Sequence, residues 1–401
     1  MNETANTHTT RSSESSALLA KALTNPDLNF TQRYDAVRAY LDSLAKPVGS
    51  LGSIEDFAAR IAALQRSATP RVENPICLIF AADHGVAKDC SEGGMSCSSY
   101  PQAVSRKILE ALDRGIAGAS VLARCNNVAL RVIDVGLADS PTACENYEWS
   151  QTIVQSSEES RIVRGGGTKN FCIDCAMTVA EVEQCILTGR RETSKFIDEM
   201  KSDIVLFGEV GIGNTTASSA LIAALCGADV KSVCGTGASI NRDGIDNDVI
   251  AKKISIIDGA MTYHNAATTL KDAPLSTLAA VGGAEIAAIV GGILESTERD
   301  IPILVDGFIV TTAAMIACYI NSDVTRNLLF ATQSTERGQA IAMNVIDSIA
   351  KSNNVPAPVQ PALNMNLRLG EGTGALLALP LLRSACAVIA ELATLNEVLG
   401  L

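Results

Sequence analysis

The stretch Ile76-Cys77-Leu78-Ile79-Phe80-Ala81-Ala82, closed by Asp83-His84-Gly85-Val86, decides the fold class. An unbroken apolar run of this length, without polar alternation, fits a strand buried on both faces. The same design returns in Ala129-Leu130-Arg131-Val132-Ile133-Asp134-Val135-Gly136, in Ile204-Val205-Leu206-Phe207-Gly208-Glu209 and in Ile303-Leu304-Val305-Asp306-Gly307. Each run ends on glycine or an acid and is followed by a helical stretch, and a helix is expected around residues 102–123. Buried strands alternating with helices predict an α/β domain with a parallel sheet. In such sheets ligands sit beyond the carboxyl ends of the strands, where these acids fall.

With 401 residues the chain can form one large domain with an accessory domain, or two domains. Apolar residues make up 47% and aromatics only 4%, a mixture suited to closely packed helices and Gly-rich turns. The formal charge of −12 argues against nucleic acid or an anionic membrane as the main partner. Of 12 cysteines, Cys77, Cys226, Cys318 and Cys386 lie inside apolar runs, as expected of a reduced, cytoplasmic protein. Cys172 and Cys175 form a CxxC without a second pair at zinc spacing. Only His8, His84 and His264 are available, too few for a His-based metal centre or a Ser-His-Asp triad. No metal and no cofactor are expected.

Residues 1–16 are Ser/Thr-rich and read as a disordered tail, with the pattern of neither a secretory signal nor a transit peptide. From Ala17 to about Ser67 the periodicity is helical: Val37, Leu41 and Leu44 share one face. After Lys46-Pro47-Val48-Gly49-Ser50-Leu51-Gly52-Ser53, a second helix runs through Ile54, Phe57, Ile61 and Leu64, with Ser53 as its expected N-cap. Residues 301–320 pass for a membrane span by hydropathy, but Asp306-Gly307 interrupts them after a strand's length, so a strand and a buried helix are expected.

Four loops carry the candidate chemistry. Gly208-Glu209-Val210-Gly211-Ile212-Gly213-Asn214-Thr215-Thr216 joins a strand to a helix. Converging backbone amides, the helix start and neutral side-chain donors would make an anion cradle of the phosphate type, or the loop is simply a tight turn. It is not a Walker A loop, because no Lys follows the last Gly. On the cradle reading, a bulky side chain at Gly213 should weaken anion binding and leave the fold intact. Arg164-Gly165-Gly166-Gly167-Thr168-Lys169-Asn170 and Cys234-Gly235-Thr236-Gly237-Ala238 are similar, and Lys252 and Lys253 follow on a helix. Together they make a phosphorylated sugar or nucleotide the leading ligand. Near the end, Leu369-Gly370-Glu371-Gly372-Thr373-Gly374 sets one carboxylate between glycines. That glutamate is either aimed by a sharp turn or an exposed acid favouring the helix dipole.

These motifs, in order, resemble those of the nicotinate-nucleotide–dimethylbenzimidazole phosphoribosyltransferase family. The resemblance runs from about Lys46 to Leu392 and rests on Lys46–Gly52, Ala82–Val86, Tyr100-Pro101-Gln102, Gly208–Thr216, Val281-Gly282-Gly283, Val305–Phe308 and Leu369–Gly374. It implies a Rossmann-like parallel sheet in residues 71–374, a small helical domain from residues 17–70 and 375–401, and a homodimer. It also implies transfer of the 5-phosphoribosyl group of nicotinate mononucleotide to a benzimidazole-type base, giving an α-ribotide and nicotinate. By position Glu371 matches the general base and Glu209 a second acid. Gln102, Tyr100, His84 and Leu369 fall to the base. Gly208, Gly211, Gly213, Asn214, Thr215, Thr216, Gly235, Thr236, Gly237, Lys253 and Asp306 fall to the nucleotide and its phosphate.

Two departures bear on which base is accepted. Asp89-Cys90-Ser91-Glu92-Gly93-Gly94 lengthens the loop before Tyr100, and Thr332-Gln333-Ser334-Thr335-Glu336-Arg337-Gly338 has Gln333 in place of the usual His. A purine or another azole is therefore an alternative acceptor. A non-catalytic nucleotide-binding regulator is the rival of another class, and it would need the phosphate loops but neither Glu371 nor Glu209. A generic oxidoreductase lacks the dinucleotide fingerprint after the first strand.

Overall fold

The structure, a computed structural model, describes residues 14–88, 90, 93–95, 97–98, 100–138, 152–155, 167–235, 240–241, 244–245, 247–358 and 360–400. The chain divides into two compact units, one of Met1–Val72 with Pro380–Leu401 and one of Glu73–Leu379.

The larger unit is built on a parallel sheet. Its strands are β1 (Pro75–Ala82), β2 (Ala129–Gly136), β3 (Thr152–Gln155), β4 (Ile204–Val210), β7 (Ile303–Val305) and β8 (Leu328–Phe330), in the order β3-β2-β1-β4-β7-β8. Every pairing is parallel. A short antiparallel hairpin, β5 (Ile240–Asn241) with β6 (Gly244–Ile245), stands apart from it. All of β1 and β4 is buried, which explains why these strands read as continuous apolar runs: both faces are covered. Small residues let the covering helices approach closely. A Cβ on Gly189 would lie 1.8 Å from the Ala288 carbonyl oxygen, and one on Gly291 would lie 2.0 Å from that of Ile186. Helices Val179–Met200 and Ala284–Glu298 therefore meet backbone to backbone.

In the smaller unit, helices Glu14–Thr24, Phe30–Ser43 and Ser53–Gln65 precede the sheet, and Leu395–Leu399 closes the chain. The Lys46–Gly52 motif is tied down here. Lys46 Nζ lies 2.8 Å from Oε1 of fully buried Glu55, and the same oxygen accepts the Leu51 N–H at 3.1 Å.

Several expectations change. Residues 14–16, expected in the tail, belong to helix Glu14–Thr24, and residues 1–13 lie outside the described residues. Gly52, not Ser53, occupies the N-cap, because the helix already includes Ser53. The helix expected around 102–123 is two helices, Val104–Asp113 and Gly118–Cys125, broken where Gly115 takes a positive φ of 69°. Residues 301–320, by contrast, form the expected strand, β7, and helix, Phe308–Ile320. Among the described residues one helix, Thr373–Glu391, is long and apolar enough to cross a membrane. It contains Pro380, and 56% of its apolar window is buried inside the protein.

Candidate active site

Counting main-sheet strands alone, the order is 3-2-1-4-5-6, and the winding reverses between β1 and β4. That switch point opens a crevice beyond the strand ends. β1 delivers Asp83 and His84 there, and β4 delivers Glu209 and Val210. The Gly370–Thr373 turn is laid directly on β4. A Cβ on Gly208 would stand 2.5 Å from the carbonyl carbon of Glu371 and 2.6 Å from the nitrogen of Gly372. Glycine at 208 is thus the reason the Glu371 backbone can rest against the strand.

Three carboxyl groups gather around that turn. Glu209 is 5% exposed, and its Oε2 accepts a bond from Asn214 Nδ2 at 2.6 Å. Burial pushes its pKa well above the usual carboxylate range, and the charges of Asp306, Glu285 and Glu371 add to this against an opposing bond from the Glu371 N–H. Glu371 is also shifted up by burial and by Asp306, while the Ala119 N–H at the start of helix Gly118–Cys125 works the other way. Its Oε2 is buried with no hydrogen-bond partner, 4.0 Å from where a Cβ on Gly118 would stand. Burial lifts Asp306 from 3.8 to about 6, although its carboxylate accepts the N–H groups of Ala375, Gly374 and Gly372. Carboxyl groups with raised pKa values in a crevice suit proton transfer near neutral pH.

Beside them lies the Gly-rich loop. Gly213 has a φ of 104° and N-caps helix Asn214–Cys226 without a side-chain bond. A cavity of about 60 Å³ is lined by Gly211–Thr216 with Cys97, Ser98, Tyr100 and Lys253. Lys253 is 5% exposed and donates to Thr215 Oγ1 at 3.2 Å, which sets a cation at the helix start where an anion is favoured. A second cavity, of about 110 Å³, is lined by Glu209, Asp306, Glu336, Leu369 and their neighbours. Asn214 and Thr215 line both. The idea that a side chain at Gly213 would spare the fold does not survive. Its Cβ would sit 2.9 Å from Ala87 Cβ and 3.0 Å from His84 Cβ, on a backbone few side chains adopt.

The predicted base-side residues separate. Tyr100 is exposed at the smaller cavity and Leu369 is exposed at the larger one. Gln102 donates through Nε2 to the His84 carbonyl at 3.2 Å. His84 itself lines neither cavity: its imidazole is fully buried, 2.7 Å from Glu285, which is also fully buried. Gly283 makes room for that pair, since a Cβ there would meet His84 Cε1 at 2.4 Å. Gly211 packs on the Ala82 carbonyl, and Gly235 packs on the Glu336 carboxylate. Thr236 and Gly237 lie outside the described residues, as do Gly165 and Gly166 and, in the lengthened loop, Asp89, Ser91 and Glu92. Gln333 is exposed and lines neither cavity.

Sequence reasoning missed Glu285, Glu336, Ala119 and Ser105, whose Oγ accepts the Ile212 N–H at 3.1 Å. Gly115 and Gly118 were the available signal for the helix start at Ala119, and Glu285 follows the Gly282-Gly283 pair. Nothing local marks Glu336 or Ser105. Among the described residues no group of three or more His, Cys, Asp or Glu is arranged to hold a metal ion.

A crevice at the switch point of a parallel sheet, with an anion-suited helix start and shifted carboxyl groups, defines an α/β enzyme acting on a phosphorylated substrate. A phosphoribosyltransferase family matches residues 27–398. A nicotinate-nucleotide–dimethylbenzimidazole phosphoribosyltransferase of Bradyrhizobium diazoefficiens is 36% identical over 372 residues, 93% of this chain and 95% of that protein. One of Xanthomonas oryzae pv. oryzae is 37% identical over 368 residues, covering 90% and 93%. The crystal structure of CobT from Thermus thermophilus superposes with a TM-score of 0.76 at 32% identity, covering 91% of this chain and 98% of that one. The chain belongs to the nicotinate-nucleotide–dimethylbenzimidazole phosphoribosyltransferase family.

Proposed function

We propose that the protein transfers the 5-phosphoribosyl group of nicotinate mononucleotide to a ring nitrogen of a benzimidazole-type base, releasing nicotinate and giving an α-ribotide. A bond forms between the incoming nitrogen and the ribose C1′. The bond from C1′ to the pyridinium nitrogen breaks, and its electron pair neutralises the nicotinate ring. The proton on the incoming azole passes to a carboxylate, for which Glu371 is the first candidate and Glu209 the second. The donor phosphate is assigned to the Gly211–Thr216 loop with Lys253, and the base to the larger cavity beside Leu369 and Glu209. The observation that carries this reading is the contact between the two acids. The Glu371 turn packs against Glu209 at the switch-point crevice, where a Cβ on Gly370 would stand 2.5 Å from Glu209 Oε1, next to the anion-suited helix start.

Incubation with nicotinate mononucleotide and a panel of benzimidazoles, other azoles and purines, read by mass spectrometry, tests it. Ribotide with a benzimidazole is expected. Ribotide with purines alone would change the acceptor, and donor binding without turnover on any base would favour a nucleotide-binding regulator. A cytoplasmic homodimer belongs to the same proposal, resting on the family resemblance. Light scattering showing only monomer at micromolar concentration would remove the dimer.

A further inference from the structure

Gly370, Glu371 and Gly372 have φ values of 79°, 58° and 77°, three consecutive left-handed residues. Glycine tolerates this region, whereas glutamate is strained in it. Such a turn persists only where its surroundings over-determine it. Asp306 supplies the constraint. Its carboxylate, on a residue 3% exposed, accepts the Ala375 N–H at 2.9 Å and lies against the turn's end, where a Cβ on Gly374 would stand 2.8 Å from Oδ1. Asp306 is held in turn. Its carbonyl oxygen receives Thr332 Oγ1 at 2.9 Å and the Thr332 N–H at 3.3 Å. The Thr332 carbonyl accepts from Gln339 Nε2 at 2.9 Å, and that nitrogen also donates to Thr311 Oγ1 at 3.3 Å. Gln339 Oε1 accepts the Ser334 N–H at 2.6 Å, and the whole side chain is 2% exposed.

We propose that Asp306 is a positioning residue: anchored through Thr332 and Gln339, its carboxylate fixes the Gly370–Gly372 turn and so directs Glu371. A direct role on the donor fits less well. The carboxylate is already engaged by the backbone after the turn, and its charge would repel a phosphate. The proposal deepens the function above, and it rests on that reading only in taking Glu371 to act in the reaction.

The test uses the full chain carrying Asp306→Asn or Gln339→Leu, each alone and combined with Glu371→Gln. For Asp306→Asn, kcat is expected to fall at least about tenfold while donor affinity by calorimetry stays within about threefold, because a misaimed group loses rate more than binding. Amide hydrogen exchange over residues 370–375 should quicken by about tenfold or more as the turn opens more often. In the Glu371→Gln background, Asp306→Asn should lower kcat by less than about twofold, since residues acting as a unit are not additive. Full additivity overturns the proposal, as does a loss of donor affinity with kcat retained. Unchanged exchange in both single variants also overturns it. If Asp306→Asn does not fold, Gln339→Leu, which leaves the carboxylate in place, decides the question by the same exchange measurement. Should Glu371→Gln turn over like wild type, the reading of Glu371 fails, and exchange alone decides whether Asp306 positions the turn.

Discussion

Replacing Glu371 with glutamine separates its chemical role from its structural one. The side chain is 8% exposed, one oxygen is without a partner, and Asp306 repels its charge. Glutamine keeps the shape and an acceptor for the Ala119 N–H, and it removes the penalty of a buried charge. Against this stands a buried amide N–H₂ without a partner, at about 1–3 kcal/mol. These terms oppose each other, so folding stability should change by no more than about 1–2 kcal/mol. The rate should change far more. Losing a general base costs about 10²–10⁴-fold, or roughly 3–5.5 kcal/mol of barrier. The measurements are kcat at saturating base, donor affinity by calorimetry and stability by urea denaturation. Turnover within about threefold of wild type, under conditions where proton removal limits the rate, refutes Glu371 as the base. Glu209 then becomes the candidate. Glu209→Gln is otherwise expected to cost less, because that carboxylate is engaged by Asn214.

Burial raises the pKa values of Glu209, Glu371 and Asp306, so the folded state holds their protons more tightly than the unfolded chain does. Stability from Asp306, shifted from 3.8 to about 6, is fully present below about pH 4 and is lost as pH rises through about 6. This amounts to at most about 3 kcal/mol, and Asp306→Asn should flatten that part of a stability–pH curve. The His84–Glu285 pair runs on its own window. Burial alone would lower the His84 pKa, but Glu285 and Asp83 raise it above 6.5, so its contribution is full below that pH and fades as pH climbs through the raised value. His84→Gln leaves Glu285 buried and unpaired and should cost about 3–5 kcal/mol in thermal or urea denaturation; a loss below about 1 kcal/mol would mean that the pair is not charged. Gly213→Val should lower the melting temperature, its left-handed backbone alone costing about 1–2 kcal/mol, and an unchanged melting curve refutes the packing described. Lys253→Met should weaken nicotinate mononucleotide binding by about tenfold or more, and equal affinity would remove Lys253 from the phosphate site.

The sequence by itself determined the sheet. A continuous apolar run such as Ile76–Ala82 requires cover on both faces, and a parallel α/β layer is the architecture that provides it. It also marked the Gly208–Thr216 loop and the Gly370–Gly374 turn, because glycine spacing announces a close backbone approach wherever the partner lies. The sequence was silent on which partners those approaches would find. The 371 turn rests on β4 at Gly208, and Asp306 reaches residues 372–375 across a long sequence separation. His84, which read as a base contact, is turned inward by Glu285, 201 residues away. Gly118 and Ala119 meet Glu371 only because a predicted single helix breaks at Gly115. Local propensity and spacing act over a few residues, whereas the charge, hydrogen bonding and desolvation of each carboxyl group depend on neighbours that the tertiary fold alone brings together.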